Sequence, residues 1–194
     1  WTASADLQFF TAYEALADHW SFIAIDHRGH GRGLRSNEPF QLEDAADDAA
    51  ALVRALGVQR VVTVGYSMGG PISMLVAKRH PELVAGVVVQ ATALEWSGTY
   101  SERVQWRMLP MLGWLFRSSA FPRLLRWGVR REAKRSGGTH AEWAAAEYRR
   151  LDVRNILEAG RALKRYDARP WAKTLRLPAA MLITTRDQLV PPRS

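Results

Sequence analysis

Apolar residues Leu7, Phe9, Phe10, Tyr13, Leu16 and Ala17 recur at helical spacing between Ala5 and Trp20, and the β-rich run Phe22-Ile23-Ala24-Ile25 follows. The chain is therefore expected to open with a helix and then a strand. Asp26-His27-Arg28-Gly29-His30-Gly31-Arg32-Gly33 is punctuated by glycine and reads as a loop. Leu42 to Leu56 predicts a second helix, acidic in its first half and stopped by Gly57. Val61-Val62-Thr63-Val64 predicts a buried strand. Ser67-Met68-Gly69-Gly70 then leads into an apolar helix through Ala77 that ends at His80-Pro81, where proline forbids continuation. Leu83 to Val89 predicts another buried strand.

Strands that are near-continuous apolar runs, alternating with helices, predict an α/β fold: a mostly parallel sheet with helices on both faces. The rhythm breaks at Ala93. From Trp96 to Arg169 the pattern is helical and rich in Trp, Leu and Arg, interrupted by Pro110, Pro122 and Ser136-Gly137-Gly138. It resumes with Pro178-Ala179-Ala180-Met181-Leu182-Ile183-Thr184 as a strand, with Asp187 just past its end. The expected organisation is a core made of residues 1–94 and 171–194, with a helical cap, residues 95–170, inserted before the strand that leads to Asp187.

Composition narrows the class. With 194 residues, 47% of them hydrophobic, the chain can bury one sizeable core. It has no cysteine, which excludes a disulfide framework and a thiolate zinc site and is compatible with a reducing cytoplasm, the favoured location. Trp1 stands first, and a signal peptide before it would leave no trace here. No apolar run is long enough to span a bilayer.

The net charge of +8 is uneven: 16 Lys and Arg face 8 Asp and Glu between Glu95 and Arg169, against 11 and 11 elsewhere. No nucleic-acid module accompanies the charge, so nucleic acid is not an expected partner. In the same segment Trp106, Met108, Leu109, Leu112, Leu115, Phe116, Leu124, Leu125 and Trp127 supply apolar surface to pack the cap on the core and roof a site. Arg117, Arg123, Arg126, Arg130, Arg131, Lys134 and Arg135 form either its solvated outer face or a basic amphipathic face for an anionic membrane or an anionic acyl substrate.

Gly65-Tyr66-Ser67-Met68-Gly69 lies between a predicted strand and a predicted helix, the context in which a G-x-S-x-G match carries weight. Ser67 is expected on a sharp, strained turn, and both glycines are expected because side chains there would meet neighbouring backbone. The N–H of Met68, at the start of a helix, is placed to stabilise an oxyanion. Serine is a poor nucleophile at neutral pH, so a base must take its proton and a carboxylate must orient that base.

The Asp26–Gly31 loop, the Gly65–Gly70 elbow and the Thr184-Thr185-Arg186-Asp187-Gln188-Leu189-Val190-Pro191-Pro192 segment, in that order, resemble the α/β-hydrolase superfamily over nearly the whole chain, in its serine-nucleophile, esterase-like branch with a helical cap. The resemblance implies a Ser-His-Asp triad with Ser67 as nucleophile and Asp187 as the acid. It implies that the histidine follows on a loop beyond Ser194. Of the five histidines present, His27 and His30 fall in a loop that is structural in the family, His19 and His80 lie at helix ends, and His140 is in the cap. In the family a His-Gly pair precedes the residue that donates the second oxyanion N–H, a position that falls on Trp1. A further strand is implied before Trp1, between those holding Ile23 and Val62, so the expectation is that residues 1–194 alone fold poorly and are close to inactive.

The activity so implied is hydrolysis of an apolar acyl ester or related small carbonyl substrate. Alternatives are an acyltransferase, a carbon–carbon hydrolase or a perhydrolase of the same fold, and a non-catalytic binding relative. Branches that cleave haloalkanes or epoxides carry aspartate at the nucleophile position, so Ser67 argues against them. The mechanism needs neither metal nor organic cofactor.

Overall fold

In chain order the elements are α1 (Ala5–Leu16), α2 (Leu42–Ala55), β1 (Val61–Tyr66), α3 (Gly69–Arg79), β2 (Val84–Gln90), α4 (Val153–Arg165) and β3 (Ala179–Leu182), with 3₁₀ turns at Pro81–Leu83 and Ala172–Thr174. The computed structural model describes residues 4–98, 100, 102–104, 106–108, 111, 143, 147 and 153–184. Two units are distinct: one holds residues 39–107 and 158–194, the other residues 2–38 and 108–157.

The first unit is built on a parallel sheet of order β1-β2-β3. Thr63 pairs with Val87 and Gly65 with Val89, while Val89 and Gln90 continue the ladder to Met181 and Leu182. Helix α3 lies on the sheet face that carries Thr63 and Gly65: the Thr63 hydroxyl donates to Ser73 O at 3.4 Å. Every residue of α3 from Gly70 to Ala77 is buried, which accounts for its apolarity all round. Pro71 is tolerated because the N–H groups of a first helical turn have no intrahelical acceptor to lose.

The core joins Phe40, Leu42, Ala45 and Ala46 to Ile72, Leu75 and Val76 of α3, to Val84, Val87 and Val89 of β2, and to Ala159, Ala162 and Leu163 of α4. Ile72, Leu163 and Val84 are fully buried, each contributing roughly 1.5–3 kcal/mol. In α4 the apolar positions Ile156, Ala159 and Leu163 share one face, and Arg161, Lys164 and Arg165 are exposed. Trp96, Tyr166 and Ala168 are also core residues, so the core draws on the stretch 95–170 that the sequence alone assigns to an insertion. On the other sheet face Val62, Val64 and Tyr66 are exposed.

In the second unit, Ser4 caps α1 by accepting the Leu7 N–H at 3.4 Å. The helix ends at Leu16, short of the Trp20 expected from its periodicity. Asp26 ties the unit together: its carboxylate accepts the Ala5 N–H at 2.7 Å and the Arg32 N–H at 2.8 Å, and Arg32 bridges Asp26 and Asp6. The strand expected at Phe22–Ile25 does not form; these residues lie in no ladder, and Phe22 and Ile23 are exposed. A β-rich sequence becomes a strand only when a neighbour takes its N–H and C=O groups, and no such neighbour is found among the described residues.

Candidate active site

Parallel strands bring their carboxyl ends to one edge of the sheet, the usual place for ligands in open α/β folds. Tyr66, Gln90 and Leu182 end β1, β2 and β3 on that edge. Ser67 follows β1 directly. Its φ is +52°, in the left-handed region, and it is half-buried. Its N–H donates to Gln90 O at 3.0 Å, and its carbonyl accepts the Gly70 N–H at 2.9 Å. The turn between β1 and α3 is thereby tied to the neighbouring strand and to the helix it opens.

The glycines of this turn differ in what they do. A Cβ at Gly65 would fall 2.1 Å from Gly69 O, so strand and helix meet there at a distance only glycine permits. A Cβ at Gly69 would meet nothing within 4 Å. The expectation that both flanking glycines avoid backbone is therefore correct for Gly65 and incorrect for Gly69. The second close approach is at Gly70, where a Cβ would fall 2.5 Å from the Thr92 side chain.

Met68 is buried and caps the N-terminus of α3. The leading N–H groups of a helix lack intrahelical acceptors and carry the positive end of its dipole, so the space beside Ser67 favours developing negative charge. The rest of α3 is fixed by packing. The Tyr166 hydroxyl donates to Met74 Sδ at 3.8 Å, and burial pushes that phenol well above the usual tyrosine range. Lys78 lies 4.4 Å over the Trp171 ring.

His80 sits at the far end of α3 from Ser67, about 16 Å away for a helix of this length. Its Nε2 lies 2.8 Å from Asp47 Oδ1 and its Nδ1 3.2 Å from Arg54 Nη2. Asp47 also accepts two bonds from Arg79, at 2.8 and 2.7 Å, and these, with the His80 bond, hold its carboxyl down at about 2 against the cost of its partial burial. His80 is thus part of a surface ion network. In the other unit His30 is buried, with its Nδ1–H donating to Arg28 O at 2.9 Å.

The family model of the alpha/beta hydrolase fold matches residues 1–194. The chain belongs to the α/β-hydrolase fold family. Among curated relatives of this α/β-hydrolase, a 2-(acetamidomethylene)succinate hydrolase of Mesorhizobium japonicum is 38% identical over 73 residues, 38% of this chain and 26% of the relative. An ethanol acetyltransferase of Eremothecium cymbalariae is 41% identical over 66 residues, 34% of this chain and 18% of the relative. The matched stretches thus span about a quarter or less of those relatives' length. A crystal structure of a hydrolase from Pseudomonas aeruginosa shares the fold with a TM-score of 0.79 at 17% identity, covering 99% of this chain and 71% of that one.

Of the residues singled out in the sequence, Ser67 and Met68 lie together at the β1–α3 turn. Trp1, Asp187, His140 and the basic residues Arg117 to Arg135 lie outside the described residues. Asp187 comes five residues after Leu182, whose strand ends on the same sheet edge as Ser67. Among the described residues no helix is long and apolar enough to cross a membrane. Two features were invisible in the sequence: Ala91, with a φ of +46°, and Thr92 beside Gly70. No local signal in Gln90-Ala91-Thr92 marks either.

Proposed function

We propose that this α/β-hydrolase cleaves an acyl ester or a related carbonyl substrate, with Ser67 as the nucleophile. The observation that carries the reading is the left-handed backbone of Ser67 in a turn closed by Gly65 against Gly69 O. A serine held there at an energetic cost, at the carboxyl edge of a parallel sheet and the start of a helix, matches a nucleophile better than a helix cap. The cap position of α3 is taken by Met68, and the serine that does cap a helix, Ser4 before α1, has ordinary extended angles.

In this mechanism Ser67 Oγ attacks the carbonyl carbon, and its proton passes to the triad histidine that the family resemblance implies. Asp187 orients that histidine and stabilises its cation. The N–H of Met68 and, by resemblance, that of Trp1 bind the oxyanion. Collapse expels the alcohol, which takes the proton from the histidine; water then repeats the sequence and releases the acid.

Acyl transfer is the second reading, favoured by the identity to the ethanol acetyltransferase. It shares every step up to the acyl-enzyme and differs in whether water or an alcohol attacks it. Labelling of the full-length protein with a fluorophosphonate probe is expected, with loss of labelling in Ser67→Ala. That substitution is expected to lower kcat on a p-nitrophenyl ester by roughly a thousandfold or more. Added ethanol separates the two readings, since a transferase yields mainly the ethyl ester. A well-folded full-length protein that resists the probe is a binding relative and not an enzyme.

A further inference from the structure

Thr92 follows Ala91, and among the described residues Ala91 and Ser67 are the non-glycine residues with positive φ. They sit at the carboxyl ends of adjacent strands and are linked through Gln90, whose carbonyl accepts the Ser67 N–H at 3.0 Å. Ala91 is pinned on its other side, its N–H donating to Leu182 O at 3.4 Å. In a strand, side chains alternate between faces. An extended Ala91 would therefore send Thr92 to the face of Val88 and Gln90, away from α3. The left-handed residue reverses the alternation and delivers Thr92 to the α3 side. There a Cβ built on Gly70 would fall 2.5 Å from both Thr92 Cγ2 and Oγ1. The Thr92 Oγ1 is buried and has no hydrogen-bond partner among the described residues.

A left-handed alanine and a buried, unpaired hydroxyl are both unfavourable. Side by side, immediately behind the nucleophile turn, they are tolerated where surrounding structure over-determines the geometry. Resting on the reading of Ser67 as nucleophile, we infer that Thr92 is a positioning residue: its side chain braces the first turn of α3 through Gly70 and so fixes the Met68 N–H relative to Ser67 Oγ. The contact is one of shape. Among the described residues the hydroxyl has no hydrogen-bond partner, so valine, which has the same outline, is expected to serve equally well.

The test compares wild type, Thr92→Val, Thr92→Ser and Thr92→Ala in the full-length protein, by p-nitrophenyl ester kinetics, the rate of fluorophosphonate labelling and Tm. Thr92→Val is expected to keep kcat within about twofold of wild type. Thr92→Ala, which frees the first turn to shift, is expected to lower kcat and the labelling rate by roughly tenfold or more, with KM little changed. Thr92→Ser deletes the methyl group, one of the two side-chain atoms packed at Gly70, should give the same split at smaller size, and decides the matter if Thr92→Ala does not fold. A lower Tm with unchanged kcat well below Tm overturns the brace and leaves the nucleophile standing. Absence of labelling in folded wild type overturns both.

Discussion

At Ser67 the proposed function and stability pull in opposite directions. A single left-handed non-glycine residue costs roughly 1–2 kcal/mol, and glycine escapes that cost while losing more freedom on folding. Ser67→Gly is therefore expected to be more stable than Ser67→Ala by roughly 0.5–1 kcal/mol, measured by urea denaturation, although both remove the proposed nucleophile. Equal stability would mean that the φ of +52° is unstrained. The glycines give a sharper contrast. Gly65→Ala forces a Cβ to within 2.1 Å of Gly69 O and should prevent the turn from closing. Gly69→Ala meets open space in a helix and should leave stability unchanged or raise it by up to about 1 kcal/mol. The motif at Gly65–Gly69 is legible in the sequence because spacing and context suffice to find it. Which glycine is sterically required is not legible, because the answer depends on how closely β1 and α3 approach and on Thr92, 22 positions further along the chain than Gly70.

Helices α2 and α3 are joined by charge as well as by packing. Asp47 of α2 accepts bonds from Arg79 and His80, Arg54 reaches His80 Nδ1, and Arg54 also pairs with Glu82 at 2.5 Å. The folded carboxyl of Asp47 is depressed to about 2, chiefly by Arg79, below the unfolded value of about 3.9. Its contribution is thus complete above the unfolded value and is lost as pH falls through the interval down to about 2. Because the pair is partly exposed, its worth at neutral pH is below about 1 kcal/mol. Asp47→Asn is expected to be less stable than wild type by that amount at pH 7, with the gap closing steadily toward pH 3. A gap independent of pH would show that the charge on Asp47 contributes nothing. From the sequence, His80 reads as a helix-end residue, which is its position. Its partners were hidden because Asp47 and Arg54 lie 33 and 26 residues away on another helix, and periodicity within one helix carries no information about them.

At the scale of the molecule, alternation of apolar strands with helices was legible because burial on both faces leaves a near-continuous hydrophobic run, and β1, β2 and β3 all fall where those runs lie. Phe22–Ile25 has the same composition and no ladder, since strand formation depends on a neighbour that local sequence does not specify. A related consequence concerns the sheet itself. β1 and β3 each lack a second ladder partner among the described residues, and the apolar side chains Val62, Val64 and Tyr66 on β1, with Met181, Leu182 and Ile183 at β3, are all between 38% and 59% exposed. Exposed strand edges flanked by exposed apolar side chains favour pairing with another chain. The 194-residue chain is therefore expected to bind 8-anilinonaphthalene-1-sulfonate and to associate as its concentration is raised. Val64→Lys combined with Met181→Lys places charge beside both edges and should shift sedimentation toward monomer without loss of helical circular dichroism. Monomeric, dye-dark wild-type protein at high concentration would mean that this surface is covered in solution. If the lysine variant still associates, the contact lies elsewhere.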